Sequence, residues 1–262
     1  MNRDVSDAEL DAALDGWRRD GFAVLRGVAT PATCEALRDR LSAYIAGDRP
    51  DPGLFFQRDG GTGDYADVAF GQGYEGPDVP YRKIERLERD PLFFAWLSAP
   101  LFARMAARIF PGSVSLYRAT AFLKAPRIGS NLPWHQDAGR FWGLDHDPCW
   151  QVWTALDDAP VDAGCLCFVP GSHHRGLASP NGGIVPAAAG PAVDDVAVPA
   201  RAGDVVLVHN LVWHRSGANT TDRPRRAFSV SYLDGATRCT RTRRAPRRFT
   251  PVFPDPRPGP VG

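Results

Sequence analysis

At 262 residues, with 44% apolar and 10% aromatic side chains, the chain can bury a sizeable core, which excludes an intrinsically disordered polymer. Its formal net charge of +1 points to neither nucleic acid nor a membrane surface as a partner. Five cysteines, an odd number, and no C-x-x-C pair exclude a disulfide framework and a zinc knuckle, and a reduced, cytoplasmic setting is expected.

The opening segment, MNRDVSDAELDAALDGWRRDGF, is charged throughout and lacks the apolar centre of a signal peptide. Within it, Asp7 to Arg19 reads as a helix, with Ser6 or Asp7 as N-cap and Leu10, Ala13, Leu14 and Trp17 on one face. Gly21 stops that helix, and FAVLRGV (Phe22 to Val28) has strand composition. Thr30 and Pro31 open a second helix through ATCEALRDRLSAYIAG, with proline at a tolerated first-turn position. Residues 48–80, rich in Gly, Asp and Pro, read as a long irregular loop. A third helical region spans about Pro91 to Phe110; Pro100, Arg104 and Arg108 interrupt its apolar run, so it cannot make an uninterrupted membrane span.

From Val114 the pattern changes to strand-sized runs separated by Gly, Pro and Asp: SVSLYRATAFLK, WQVWTALDD, GCLCFVPGS, DVAVPA, GDVVLVHN and RRAFSVSYL. Such spacing predicts an all-β sandwich or barrel. With no internal repeat and no linker, residues 1–262 are expected to form a single domain. Its parts are a mostly helical segment 1–113, a β core 114–237 and a basic tail 238–262. That tail holds seven arginines against one aspartate and is expected to be solvated and partly disordered.

The stretch WHQDAGRFW (Trp134 to Trp142) places His135 and Asp137 two residues apart, hence on one face of a strand, with Gln136 facing away. Two histidines and one carboxylate on one side of an ion form a facial triad, which leaves three positions open and suits non-haem Fe(II). H-x-D alone is weak evidence, so a third ligand must be found. His146 lies in a polar turn, and His173 and His174 follow the tight turn Pro170-Gly171-Ser172. His209 and His214 are five apart and face opposite ways on a regular strand. The context after His214 selects it: Ser216 shares its face, GANTTDRP is loop-like, and RRAFSVSYL reads as a returning hairpin strand. That return brings Arg225 or Arg226 beside Ser216, and a guanidinium with a hydroxyl makes a receptor for a carboxylate.

In these features the chain resembles the phytanoyl-CoA dioxygenase (PhyH) family of Fe(II)/2-oxoglutarate-dependent oxygenases. The resembling segments, in the family's order, are DGFAVLRGV, RKIERLERDPLF, AFLKAP…WHQD, VWTALDDAPVDAGCLCFVPGSHHRG, AGDVVLVHN and HRSGAN…RPRRA. The second of these resembles the helix before the core. The resemblance implies a mainly β fold with flanking helices, a double-stranded β-helix (cupin-like jelly roll). It implies His135, Asp137 and His214 as metal ligands, and Arg225 with Ser216 as the seat for the far carboxylate of 2-oxoglutarate. Lys83, Thr120 and Trp153 match further cofactor-pocket positions, and strand alternation turns Arg226 outward. The implied cofactors are Fe(II), 2-oxoglutarate as cosubstrate and O2, which together oxidise a C–H bond of a small molecule. Related halogenases carry a small residue where this chain has Asp137, so hydroxylase chemistry is favoured.

Arg140, Phe141 and Trp142, just after the ligand pair, are candidates for substrate contacts. The rival readings are a zinc hydrolase on the same three ligands and a non-catalytic cupin-like binding protein. No nucleic acid or membrane partner is expected, and a monomer and a homodimer stay equally open.

Overall fold

The computed structural model describes residues 3–71, 73–189, 194–242 and 247–255. Helix α1 (Asp7–Asp20) starts where the Ser6 hydroxyl accepts from the Glu9 amide, and it ends at Gly21, whose φ of 86° suits the left-handed cap. Helix α2 (Pro31–Ala46) is capped likewise by Thr30, with Pro31 in its first turn. The third helical region divides into α3 (Pro91–Leu97) and α4 (Pro100–Ile109), bent by 47° where Pro100 cannot donate into a continuing helix. Among the described residues no single helix is long and apolar enough to cross a membrane.

The strands are β1 (Phe22–Leu25), β2 (Phe55–Arg58), β3 (Tyr81–Glu85), β4 (Val114–Lys124), β5 (Leu132–Gln136), β6 (Trp150–Ala155), β7 (Leu166–Phe168), β8 (Gly183–Ile184), β9 (Val196–Val198), β10 (Val205–Val208), β11 (His214–Ser216), β12 (Arg225–Asp234) and β13 (Thr250–Phe253). They form two antiparallel sheets. The large one runs β1-β10-β6-β12-β4-β3-β2, with β13 also on β4; the small one runs β8-β5-β11-β7-β9. Strands β4 to β7 and β10 to β12 alternate between the sheets along the chain, which is the path of a double-stranded β-helix. Phe22 of the large sheet stacks on Phe168 of the small one at 4.4 Å, closing the sandwich.

One face of the large sheet is covered by the helices. Ala119, Ala121 and Leu123 of β4, Val152 of β6, Leu207 of β10 and Phe228 of β12 share a core with Leu14, Leu41, Phe93 and Met105. Phe93 lies 4.9 Å from Phe228, and the Trp96 indole donates to Thr154 Oγ1 at 3.0 Å. Burying each large apolar side chain there contributes roughly 1.5–3 kcal/mol. Because side chains alternate, this apolar layer fixes which residues of the same strands look into the barrel.

Three expectations need correction. Residues 48–80 are not wholly irregular, since Phe55–Arg58 pairs with β3. The segment read as a helix, RKIERLERDPLF, begins as strand β3, which hydrogen-bonds to β4 as well as β2; the helix starts only at Pro91. Lys83 and Glu85 look helical in sequence because their polar face points into a polar interior rather than solvent. The tail also returns to the sheet, with β13 pairing on Val114 to Leu116. Pro251 is tolerated in β13 because proline fits an edge strand.

Candidate metal centre

Two strands of the small sheet bring the histidines together. His135 on β5 and His214 on β11 are direct cross-strand partners, and their ring centroids lie 3.9 Å apart. Each ring turns its Nδ1 to a carbonyl two residues back, His135 to Pro133 at 2.8 Å and His214 to Val212 at 3.0 Å. A carbonyl only accepts, so Nδ1 carries the proton in the neutral ring and Nε2 offers its lone pair inward. Asp137 lies one residue past β5, with Oδ1 3.9 Å from His135 Nε2 and Oδ2 3.5 Å from His214 Nε2. All three ligand atoms lie within 4.8 Å of one another, a spacing one metal ion can bridge.

Neighbouring groups hold this arrangement. The Asp137 amide donates to Asn210 O at 2.9 Å, and Asn210 Nδ2 returns a bond to Asp137 O at 2.9 Å. Gln151 Nε2 donates to Asp137 Oδ2 at 2.8 Å, and Ser231 Oγ donates to Gln151 Oε1 at 2.9 Å. Gln136 faces the other way, donating to the carbonyls of Gly176 and Leu211 and accepting from Ala178 N. Gly139 has φ 93° and passes so close to the 181–182 segment that a Cβ would meet Gly182 N at 2.5 Å, so only glycine fits.

Burial, then the neighbouring His214, lowers the His135 pKa to about 4, which leaves an unprotonated donor at neutral pH. Burial pushes Asp137 up, but the His214 and His135 rings beside it and the hydrogen bond from Gln151 outweigh it and hold the carboxyl below its usual range. A carboxylate facing two imidazole Nε2 atoms and held by a buried glutamine is a ready-made site for a divalent cation.

The inner face of the large sheet forms rungs across β4, β12 and β6. Lys124 pairs with Arg225; Phe122 with Ala227 and Ala155; Thr120 with Ser229 and Trp153; and Arg118 with Ser231 and Gln151. Arg225 is 2% exposed, and its Nη2 donates to Gly164 O at 3.1 Å. Its Nε and Nη1 are buried without a partner among the described residues, as is Thr120 Oγ1. Trp153 lies under the guanidinium, its ring centroid 5.8 Å from Cζ. Burial lowers Arg225 to about 10, which leaves it charged at neutral pH. Such orphaned donors on a buried cation fit a carboxylate.

The phytanoyl-CoA dioxygenase (PhyH) family pattern matches residues 17–227, most of the chain, including His135, Asp137, His214 and Arg225. The chain belongs to the phytanoyl-CoA dioxygenase family. A phytanoyl-CoA dioxygenase domain-containing protein 1 from Danio rerio is 27% identical over 271 residues, covering 87% of this chain and 91% of that one. Among solved structures, the epimerase SnoN in complex with Fe3+, alpha ketoglutarate and nogalamycin RO superposes with a TM-score of 0.69 at 23% identity, covering 95% of this chain and 96% of that one. The alpha ketoglutarate-dependent carbocyclase SnoK from nogalamycin biosynthesis gives 0.68 at 22%, covering 96% and 93%. At these identities the two structures establish the shared fold.

Within this family member the remaining candidates fall as follows. Ser216 is buried on β11 opposite Leu166, and its neighbour Gly217 packs against Gly164, the residue that accepts from Arg225. Arg226 faces outward and makes a two-pronged ion pair with Asp157 at 2.7 and 2.9 Å. Lys83 lies on the inner face beside Phe122, but its Nζ is engaged by Glu85 at 2.6 Å and not with the Arg225 rung. Arg140 is exposed, Phe141 is 55% exposed, and Trp142 is buried against Tyr117. His209 packs on Trp17 and His173 rather than joining the triad, and His146 is exposed beside Asp145.

Sequence reasoning missed three inward groups. Lys124 sits beside Arg225, donates to Ser130 O, and is lowered to about 6 by burial and then by Arg225 and Arg82. Arg82 is buried over Tyr65 and donates to Gln57 Oε1 at 3.2 Å. Gln151 holds the Asp137 carboxylate. Strand alternation assigns Lys124 to the inner face once Arg225 is placed there.

Proposed function

We propose that this chain is an Fe(II)- and 2-oxoglutarate-dependent oxygenase that hydroxylates an unactivated C–H bond of a small molecule, with release of succinate and CO2. The observation that carries the reading is the pairing of the three-ligand cluster with a buried arginine bearing two unpartnered N–H donors. His135, Asp137 and His214 would hold the iron, whose open positions suit a bidentate keto acid. Arg225 would seat the far carboxylate through two parallel hydrogen bonds, with Lys124 beside it and Thr120 Oγ1 supplying a further donor. Bound there, iron and 2-oxoglutarate supply the oxidising power from O2, and the protein's part is to orient the C–H bond and keep water out.

The related structures include an epimerase and a carbocyclase, so the outcome at the substrate carbon follows its positioning rather than the fold. Asp137 would take the coordination position that a halide needs, which supports hydroxylation over halogenation. A zinc hydrolase on the same ligands leaves Arg225 and Lys124 without a role, and a binding protein has no use for open coordination positions. The test is succinate release from 2-oxoglutarate with Fe(II), O2 and ascorbate. Wild-type protein is expected to release succinate, and H135A, D137A and H214A each to abolish it. Metal-dependent ester or amide cleavage with no 2-oxoglutarate consumption would support the hydrolase instead.

A further inference from the structure

The far end of the inner face carries a second set of cations that the 2-oxoglutarate seat does not use. Arg118 shares a rung with Ser231 and Gln151, the pair that steers Asp137. Along β12 that rung lies six residues from Arg225, about 20 Å at 3.4 Å per residue. A bulge opposite Ser231 and Tyr232 leaves Tyr117 unpaired with β12, and Tyr117 stacks on Trp142 at 4.3 Å. The Arg118 guanidinium lies against both rings, 5.2 Å from the Tyr117 centroid and 5.5 Å from that of Trp142. Two ring faces fix the orientation of a planar fork before any ligand arrives.

The charge at this end is not balanced. Among the described residues, the carboxylate nearest Arg118 is Glu85, at 3.6 Å, beyond hydrogen-bond distance. Glu85 already takes the ammonium of Lys83 at 2.6 Å, so two cations share one carboxylate. From the tail, Arg247 donates to Tyr117 O and brings its Cζ to 4.7 Å from the same ring. Burial raises the pKa of Glu88, the other carboxylate facing Arg247. Arg118 keeps 29% of its side chain exposed, so its fork is oriented, unsaturated and reachable.

We propose that Arg118 is the specificity-determining residue of this pocket and that the substrate carries an anionic group, a carboxylate or a phosphate monoester, seated on its guanidinium. The inference rests on the oxygenase reading and deepens it. The anion docks at the Arg118 end, and the rest of the molecule lies along the rung that leads through Gln151 to Asp137. Arg140, the cation suggested by sequence, is exposed on the preceding turn and lacks the ring platform that orients Arg118.

The test uses full-length protein loaded with Fe(II) and 2-oxoglutarate without oxygen, so that the Arg225 seat is filled. Benzoate, phenyl phosphate and benzamide are then titrated by ligand-observed NMR. At least one anion is expected to bind about tenfold or more tighter than benzamide, and which one does so identifies the anion class. Arg118→Gln is expected to remove that preference while affinity for 2-oxoglutarate stays within about twofold, and Arg118→Lys to keep part of it. Should Arg118→Gln fail to fold, Arg247→Gln is expected to reduce the preference about threefold. Equal binding of all three probes, binding of none, or a preference that survives the substitutions would overturn the inference. Failure of the initial loading with 2-oxoglutarate would instead remove the oxygenase reading and this inference with it.

Discussion

Replacing Arg225 by methionine separates a guanidinium kept for a ligand from one kept for the fold. Its Nε and Nη1 are buried without partners among the described residues, and each unsatisfied donor costs roughly 1–3 kcal/mol. Against this, the bond to Gly164 O contributes roughly 1.5–3 kcal/mol and the face of Trp153 roughly 0.5–2. The two sides nearly cancel, so metal-free stability in urea is expected to stay within about 2 kcal/mol of wild type. A buried arginine with a full structural partner would instead lose roughly 3–5 kcal/mol on truncation. Affinity for 2-oxoglutarate, measured by calorimetry with Fe(II) under nitrogen, is expected to fall by about 2–5 kcal/mol, roughly 30-fold to several thousand-fold. A large loss of stability with unchanged 2-oxoglutarate affinity would refute the assignment.

Lys124 makes binding pH-dependent. Its folded pKa of about 6 lies far below the ordinary lysine value, so between those values the unfolded chain binds a proton that the native chain does not, and ligand-free stability rises with pH across that window. Facing a carboxylate, the lysine takes its proton back. Calorimetry at pH 8 in buffers of different ionisation enthalpy should therefore show uptake approaching one proton per 2-oxoglutarate, with affinity weakening by up to about tenfold per pH unit; zero uptake would place the lysine outside the seat. Gln151→Leu removes the donor that fixes Asp137 and should weaken Fe(II) affinity by about 10- to 100-fold in a chelator competition. An unchanged affinity would show that Asn210 alone suffices to position the ligand.

The ligand cluster was legible because its grammar is local. His135 and Asp137 two residues apart, Ser216 two past His214, and an arginine on the returning strand are all consequences of strand alternation. The cap residues Ser6 and Thr30 were legible for the same reason, since their partners lie within one helical turn. Strands β2, β3 and β13 were not, because each is short, β3 is rich in charge and β13 holds a proline, and they acquire strand character only from pairing with distant β4 or with each other. Buried Arg82 and Lys124 read as surface charge in a sequence; only the folded sandwich reveals that their neighbours exclude water. Trp142 was nominated for a substrate contact beside Arg140 and Phe141, yet its ring serves as the platform under Arg118, a pairing across 24 positions that no local pattern signals.

The most direct test of the central claim is calorimetric titration of 2-oxoglutarate into the full-length protein, anaerobically, with and without one equivalent of Fe(II). A keto acid that bridges the triad and Arg225 should bind with a stoichiometry of one and at least about tenfold more tightly when the metal is present, and H214A should erase that difference. Equal affinity with and without iron, or no binding in either case, would contradict it.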